Sequence, residues 1–268
     1  MGVLSVTRIS LILLGAALLA VLWSCAPPGG GSPPPSSSIQ EELTKQLSND
    51  LASSDFSASE VLTIVSSGEK WVNDNVSDPQ NAGLVLPAYL AGSMAGVGSI
   101  SPPLDNDTRT LEAIGIIVAS VVGSVDSFES QITASSTSRI PEETFNNLLA
   151  TLVEVAINAL KDTGLSEESL ADGVGKIVEK SVSSLDDAAV TGDTETASAV
   201  GVISSQAVQQ AAKLAPQNAT LFETIVKKIA QNSAAAIQQL ASEDKNTLIA
   251  ATETAIYENI DSVASNNS

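Results

Sequence analysis

The chain has no histidine, and Cys25 is the only cysteine among its 268 residues. These two absences remove intrachain disulfides, Cys/His zinc sites and any catalysis that needs an imidazole or an imidazole-activated thiolate. Aromatic residues amount to 3%, so a core has to be assembled from small and aliphatic side chains. Basic residues are scarce too: 12 Lys and Arg stand against 31 Asp and Glu, a net charge of −19. Such a charge repels nucleic acid and anionic lipid alike, so no nucleic-acid partner is expected. Membrane attachment would have to come from something other than charge.

What is present begins with a leader. Met1 to Arg8 carries positive charge, and Ile9 to Ser24 follows without any charged residue, a run short of the roughly 20 residues a bilayer span needs. It ends at Leu22-Trp23-Ser24-Cys25: Leu at the third position before the cysteine, a small residue immediately before it, then the cysteine. This resembles the lipobox of bacterial lipoproteins, with Trp23 departing from the small residue usual at its place, and the resemblance covers residues 1–25 only. It implies cleavage before Cys25, a diacylglyceryl group on its thiol and acylation of the new amino terminus. It also implies a protein outside the cytoplasm, in the outer membrane if the cell has two, because Ala26 is not the aspartate associated with inner-membrane retention. The competing reading of the leader is an uncleaved anchor. Ala26 to Ser38, APPGGGSPPPSSS, reads as a mobile tether that cannot bury apolar surface.

The expected organisation is therefore a signal peptide at 1–24, a lipidated cysteine and tether at 25–38, and an acidic all-helical domain at 39–268. Apolar residues recur at helical spacing through that domain. Examples are Leu43, Leu47 and Leu51; Val61, Leu62, Val65 and Val72; and Leu148, Leu149, Leu152 and Val155. The pattern predicts an all-α fold, a multi-helix bundle or short α-solenoid of about nine antiparallel helices. Ser57-Ala-Ser-Glu60 and Thr220-Leu-Phe-Glu223 read as capping boxes, and Pro141 with Glu142 and Glu143 suits a first turn. A helix stop at Gly164 and a start at Ser166 predict a short antiparallel connection, with Leu165 and Leu170 as a hydrophobic staple. Helix pairs centred near 92 and 118, 154 and 178, and 204 and 229 recur at roughly 50–60 residues, as stacked hairpins would.

Residues 82–125 are the most apolar part of the domain. Ala82 to Leu104 and Ala113 to Val125 are uncharged, and each run carries small residues four apart: Ala88, Gly92 and Gly96, then Gly115, Ala119 and Gly123. On helices these stripes allow close backbone approach. Because the second run is too short to span a bilayer, the hairpin is expected to be core rather than a membrane-entering element.

Candidate chemical motifs fail on inspection. Gly173-Val-Gly175-Lys176 lacks the first glycine, the metal-binding hydroxyl and the preceding strand of a phosphate-binding loop. Asp105-Asn-Asp107 opens like a calcium loop, but Arg109 and Thr110 occupy a ligand and the obligatory glycine position. The pairs Glu41-Glu42, Glu142-Glu143, Glu167-Glu168 and Asp186-Asp187 are helix neighbours that do not face one another. The sequence thus predicts no enzyme, no cofactor and no metal. It predicts a lipid-anchored envelope protein whose helical domain binds an unidentified protein or envelope polymer, or acts as a scaffold. The competing reading is a membrane-active or pore-forming protein using 82–125.

Overall fold

Leu43, Leu47 and Leu51 come four residues apart and all three are buried, so they form the inward stripe of the first helix, α1 (Ser37–Ala52). The computed structural model describes residues 37–54, 57–75, 82–98, 107–135, 141–163, 165–186 and 192–266. Among the described residues there are nine α-helices and no strand. The others are α2 (Ala58–Asn75), α3 (Ala82–Gly98), α4 (Asp107–Ser135), α5 (Glu142–Ala159), α6 (Glu167–Ser183), α7 (Asp193–Leu214), α8 (Ala219–Ile237) and α9 (Lys245–Asn266). The fold is all-α, as the periodicity predicts. Residues Pro34–Ser268 cluster as one unit.

Helices two apart in sequence make the most extensive contacts, α1 with α3, α6 with α8, α7 with α9 and α5 with α7. The odd-numbered helices therefore form one row and the even-numbered helices a second. Register confirms it. Asn146 donates to Ser198 at 2.9 Å and Gln206 to Glu154 at 3.3 Å, both pairs 52 residues apart. Both numbers rise together along the chain, so α5 and α7 run parallel. Glu167 with Asn218 and Asp172 with Lys228 do the same for α6 and α8. Parallel neighbours within a row, joined through a helix in the other row by short connections, are the geometry of stacked helical hairpins. The spacing of 50–60 residues is the length of one hairpin.

The two rows meet over a single aliphatic core that includes Val85, Leu86, Ile114, Ile117, Leu149, Leu152, Val178 and Ile203. Leu62 departs from the expected stripe: it is 52% exposed, because Val61 and Val65 already fill the inward face of α2. Helix ends follow local chemistry. Ser57 accepts from the Glu60 amide at 3.3 Å, and Ser166 caps α6 by accepting from the Ser169 amide. Leu165 and Leu170 both pack against the core, while Gly164 lies outside the described residues. The expected box at Thr220 is corrected: the N-cap of α8 lies two residues earlier, at Asn218, which accepts from the Leu221 amide at 3.0 Å. Asparagine caps as well as threonine does, and the first apolar residue of the stripe did not mark the true boundary. At the other end of α8 the Lys245 ammonium donates to the carbonyls of Ile237, Gln238 and Leu240, placing positive charge on the negative end of the helix dipole.

Candidate functional site

The two predicted small-residue stripes lie on α3 and α4, but their glycines do not face each other. Gly92 and Gly96 of α3 lie against α1, where an added Cβ would stand 2.7 Å from Thr44 Cα and 2.6 Å from Leu51 Cβ. Ala88 belongs to the same contact, its carbonyl accepting from Thr44 Oγ1 at 3.3 Å. Gly115 of α4 instead lies under the Lys176 stem of α6, and Ala119 and Gly123 are half-buried. Gly92, Gly96 and Gly115 thus serve stacking within a row rather than closure of their own hairpin. Asp107 to Val125 is long and apolar enough to cross a membrane, with mean hydropathy 1.4, yet 56% of that stretch is buried. Cys25, the predicted lipid attachment, lies outside the described residues.

The acidic pairs are exposed, as far as Glu41, Glu42, Glu142, Glu143, Glu167, Glu168 and Asp186 are concerned. Several brace neighbouring hairpins: Glu167 accepts from Asn218 at 3.2 Å and Asp186 from the Ala241 amide at 2.8 Å. Asp107 opens α4 and accepts from Ser166 at 2.7 Å. Hydrogen bonds from the Ser169 and Ser166 hydroxyls hold its carboxyl below the usual carboxylate range. Among the described residues no three His, Cys, Asp or Glu side chains come together as metal ligands. Gly173 and Gly175 are helix-interior contacts, Gly175 meeting Asn232 and Lys228 of α8, and Lys176 pairs with Glu179 at 3.3 Å.

Among the described residues a shallow depression of about 400 Å³ lies across α5, α7 and α9. Its lining includes the small residues Ala150, Ala197, Gly201 and Ala255, together with Val202, Gln206, Glu258 and Asn259. Beside it runs a polar ladder. Asn259 donates to Ser205 at 2.8 Å, Gln209 donates to Asn259 at 2.9 Å, and Asn146 donates to Ser198. Glu154 receives both Gln206 and Lys213, the latter at 3.5 Å. The local charge left over is negative. Helical periodicity alone does not single out these residues, because they occupy the outward faces where polar side chains are ordinary. The readable signal is a pair of polar residues eight apart on α5, Asn146 and Glu154, matched 52 positions later on α7 by Ser198 and Gln206.

No family model matches the chain, and no curated protein matches it. A search of solved structures returns a chain described as "Computational Design of Self-Assembling Cyclic Protein Homooligomers", 13% identical, covering 95% of this chain and 99% of that one, with a TM-score of 0.41. A likeness that low carries no argument about function.

Proposed function

We propose that the chain is a lipid-anchored cell-envelope protein, held at Cys25, whose stacked helices serve as a non-catalytic binding or scaffold domain. The observation that supports the binding part is the depression across α5, α7 and α9, whose lining includes Ala150, Ala197, Gly201 and Ala255. Small lining side chains leave room for a partner's side chains between the helices. The leader, the lone cysteine and the Pro/Gly/Ser tract support the anchoring part, since two or three acyl chains anchor stably while the tract gives the domain reach.

Metabolic labelling with radioactive palmitate tests the anchor: wild type takes up label and Cys25→Ser does not, and equal labelling of both sinks the reading. A photo-crosslinking residue at Val202 tests the binding face in intact envelopes. A discrete adduct that disappears when Gly201→Trp fills the depression supports it, and no adduct at any level overturns it. Leakage of dye from liposomes on adding the protein would favour the membrane-active reading instead.

A further inference from the structure

The depression across α5, α7 and α9 has a polarity as well as a shape. Asn259 spends its amide nitrogen on the protein itself, donating to Ser205 Oγ at 2.8 Å and to the Ala255 carbonyl at 2.7 Å, while its oxygen accepts from Gln209. Gln206 turns its nitrogen to the Glu154 carboxylate, and Asn146 donates to Ser198. Carbonyl and carboxylate oxygens only accept, so these partners fix which end of the Gln206 and Asn259 amides is which. With those amide nitrogens turned to the protein's own acceptors, the lining offers an occupant the Gln206 oxygen and the Glu258 carboxylate. The Ser198 and Ser205 hydroxyls serve either sign. Glu258 is exposed, and no cation lies within ion-pair distance of it among the described residues. Lys213 is already taken by Glu154. The rest of the lining is short and apolar: Ala150, Ala197, Gly201, Val202 and Ala255.

We infer that the occupant is a basic segment of a partner protein, which lays the methylene stem of a lysine or arginine along the small apolar lining and brings its cationic head to Glu258 and Gln206. This rests on the binding face proposed above and names what that face takes. Long basic side chains are apolar along the stem and charged only at the tip, and the depression carries the same two chemistries side by side. An apolar segment would bury Glu258 with nothing to replace its hydration, and an acidic one would be repelled by it. The net charge of −19 adds a long-range field that draws basic segments to the surface.

Fluorescence anisotropy with the full chain in a non-ionic detergent, at about 150 mM salt to screen diffuse attraction, reads the binding of a labelled peptide of alternating lysine and serine. The expected result is saturable binding that the same peptide with acetylated lysines lacks. Glu258→Gln, at an exposed position, weakens it about two- to fivefold with an unchanged melting curve, and Gly201→Trp weakens it further. Glu253→Gln removes an exposed carboxylate about 140° round α9 from Glu258 and leaves binding unchanged. No binding of the lysine peptide, equal binding of the acetylated one, or equal losses at Glu258 and Glu253 would each overturn the inference. Crosslinking from Val202 separates the occupant from the face itself. An adduct that Gly201→Trp removes but Glu258→Gln leaves untouched overturns the cationic occupant alone, and no adduct at any level overturns both.

Discussion

Gly92 stands so close to Thr44 that a Cβ on the glycine would lie 2.7 Å from the threonine Cα and 2.9 Å from its carbonyl oxygen. Both obstacles are backbone, which cannot turn aside as a flexible side chain could. Gly92→Ala is therefore expected to push α1 away from α3 and cost about 1–3 kcal/mol. Gly201 is the control. Its Cβ would find only the Ala251 carbonyl, at 3.9 Å, so Gly201→Ala should stabilise by about 0.4–1 kcal/mol through the restricted unfolded chain and better helix propensity. Urea unfolding of the two variants should move the midpoint in opposite directions.

The cap of α8 separates two neighbouring residues. Asn218 accepts from the Leu221 amide, whereas Thr220 sits inside the helix with its carbonyl taken by Thr224. Asn218→Ala should cost about 1 kcal/mol and Thr220→Ala less than about 0.5 kcal/mol. Thermal denaturation compares them directly, and a larger loss at Thr220 would contradict the cap assignment.

How much of this was legible in the sequence depends on the range of the interaction. Helix periods, the Ser57 and Ser166 caps and the buried stripes of α1 and α5 are set by residues within four of each other, and pattern reading finds them. The partners of Gly92 and Gly115 are set by stacking across a whole hairpin. No local pattern distinguishes a stripe that meets Leu51 from one that meets Lys176. Leu62 shows the same limit within one turn: Leu148 and Leu149 are adjacent and both buried, whereas Leu62 beside buried Val61 is exposed, and which case applies depends on what packs against the helix. The depression on α5, α7 and α9 is not legible in the sequence because its lining mixes small residues, which are as common in a tightly packed core, with polar residues ordinary on any outward face.

Asp107 makes a pH prediction of modest size. Ser169 and Ser166 hydroxyls hydrogen-bond its carboxylate and lower its pKa in the folded state. A depressed carboxyl contributes stability that is present above the unfolded value of about 3.9 and lost as pH falls through the folded one. Carbon-13 NMR titration of the Asp107 carboxyl should show a midpoint below the ordinary range, moving up in the Ser166→Ala, Ser169→Ala double variant. An unmoved midpoint would mean that the hydroxyls do not set it.

Tyr89 ties the two rows together at their most apolar level. It is the largest fully buried side chain among the described residues, and its phenol, carried on α3, donates to the Val65 carbonyl of α2. Burial pushes its pKa well above that of an ordinary tyrosine, because a phenolate there would lose its hydration. The raised value fixes the sign: the stability it contributes is intact below the unfolded pKa of about 10 and drains away as pH rises beyond it, since only the unfolded chain ionises readily. In a Tyr257→Phe background, ultraviolet absorbance should show no phenolate until the protein unfolds, and alkaline unfolding should track its appearance. Tyr89→Phe keeps the ring but removes the donor, at a cost of about 1 kcal/mol. It should also flatten the decline in stability between pH 10 and 12, because the titrating group is gone. A variant with unchanged alkaline sensitivity would assign that sensitivity to other groups and leave Tyr89 with a packing role alone.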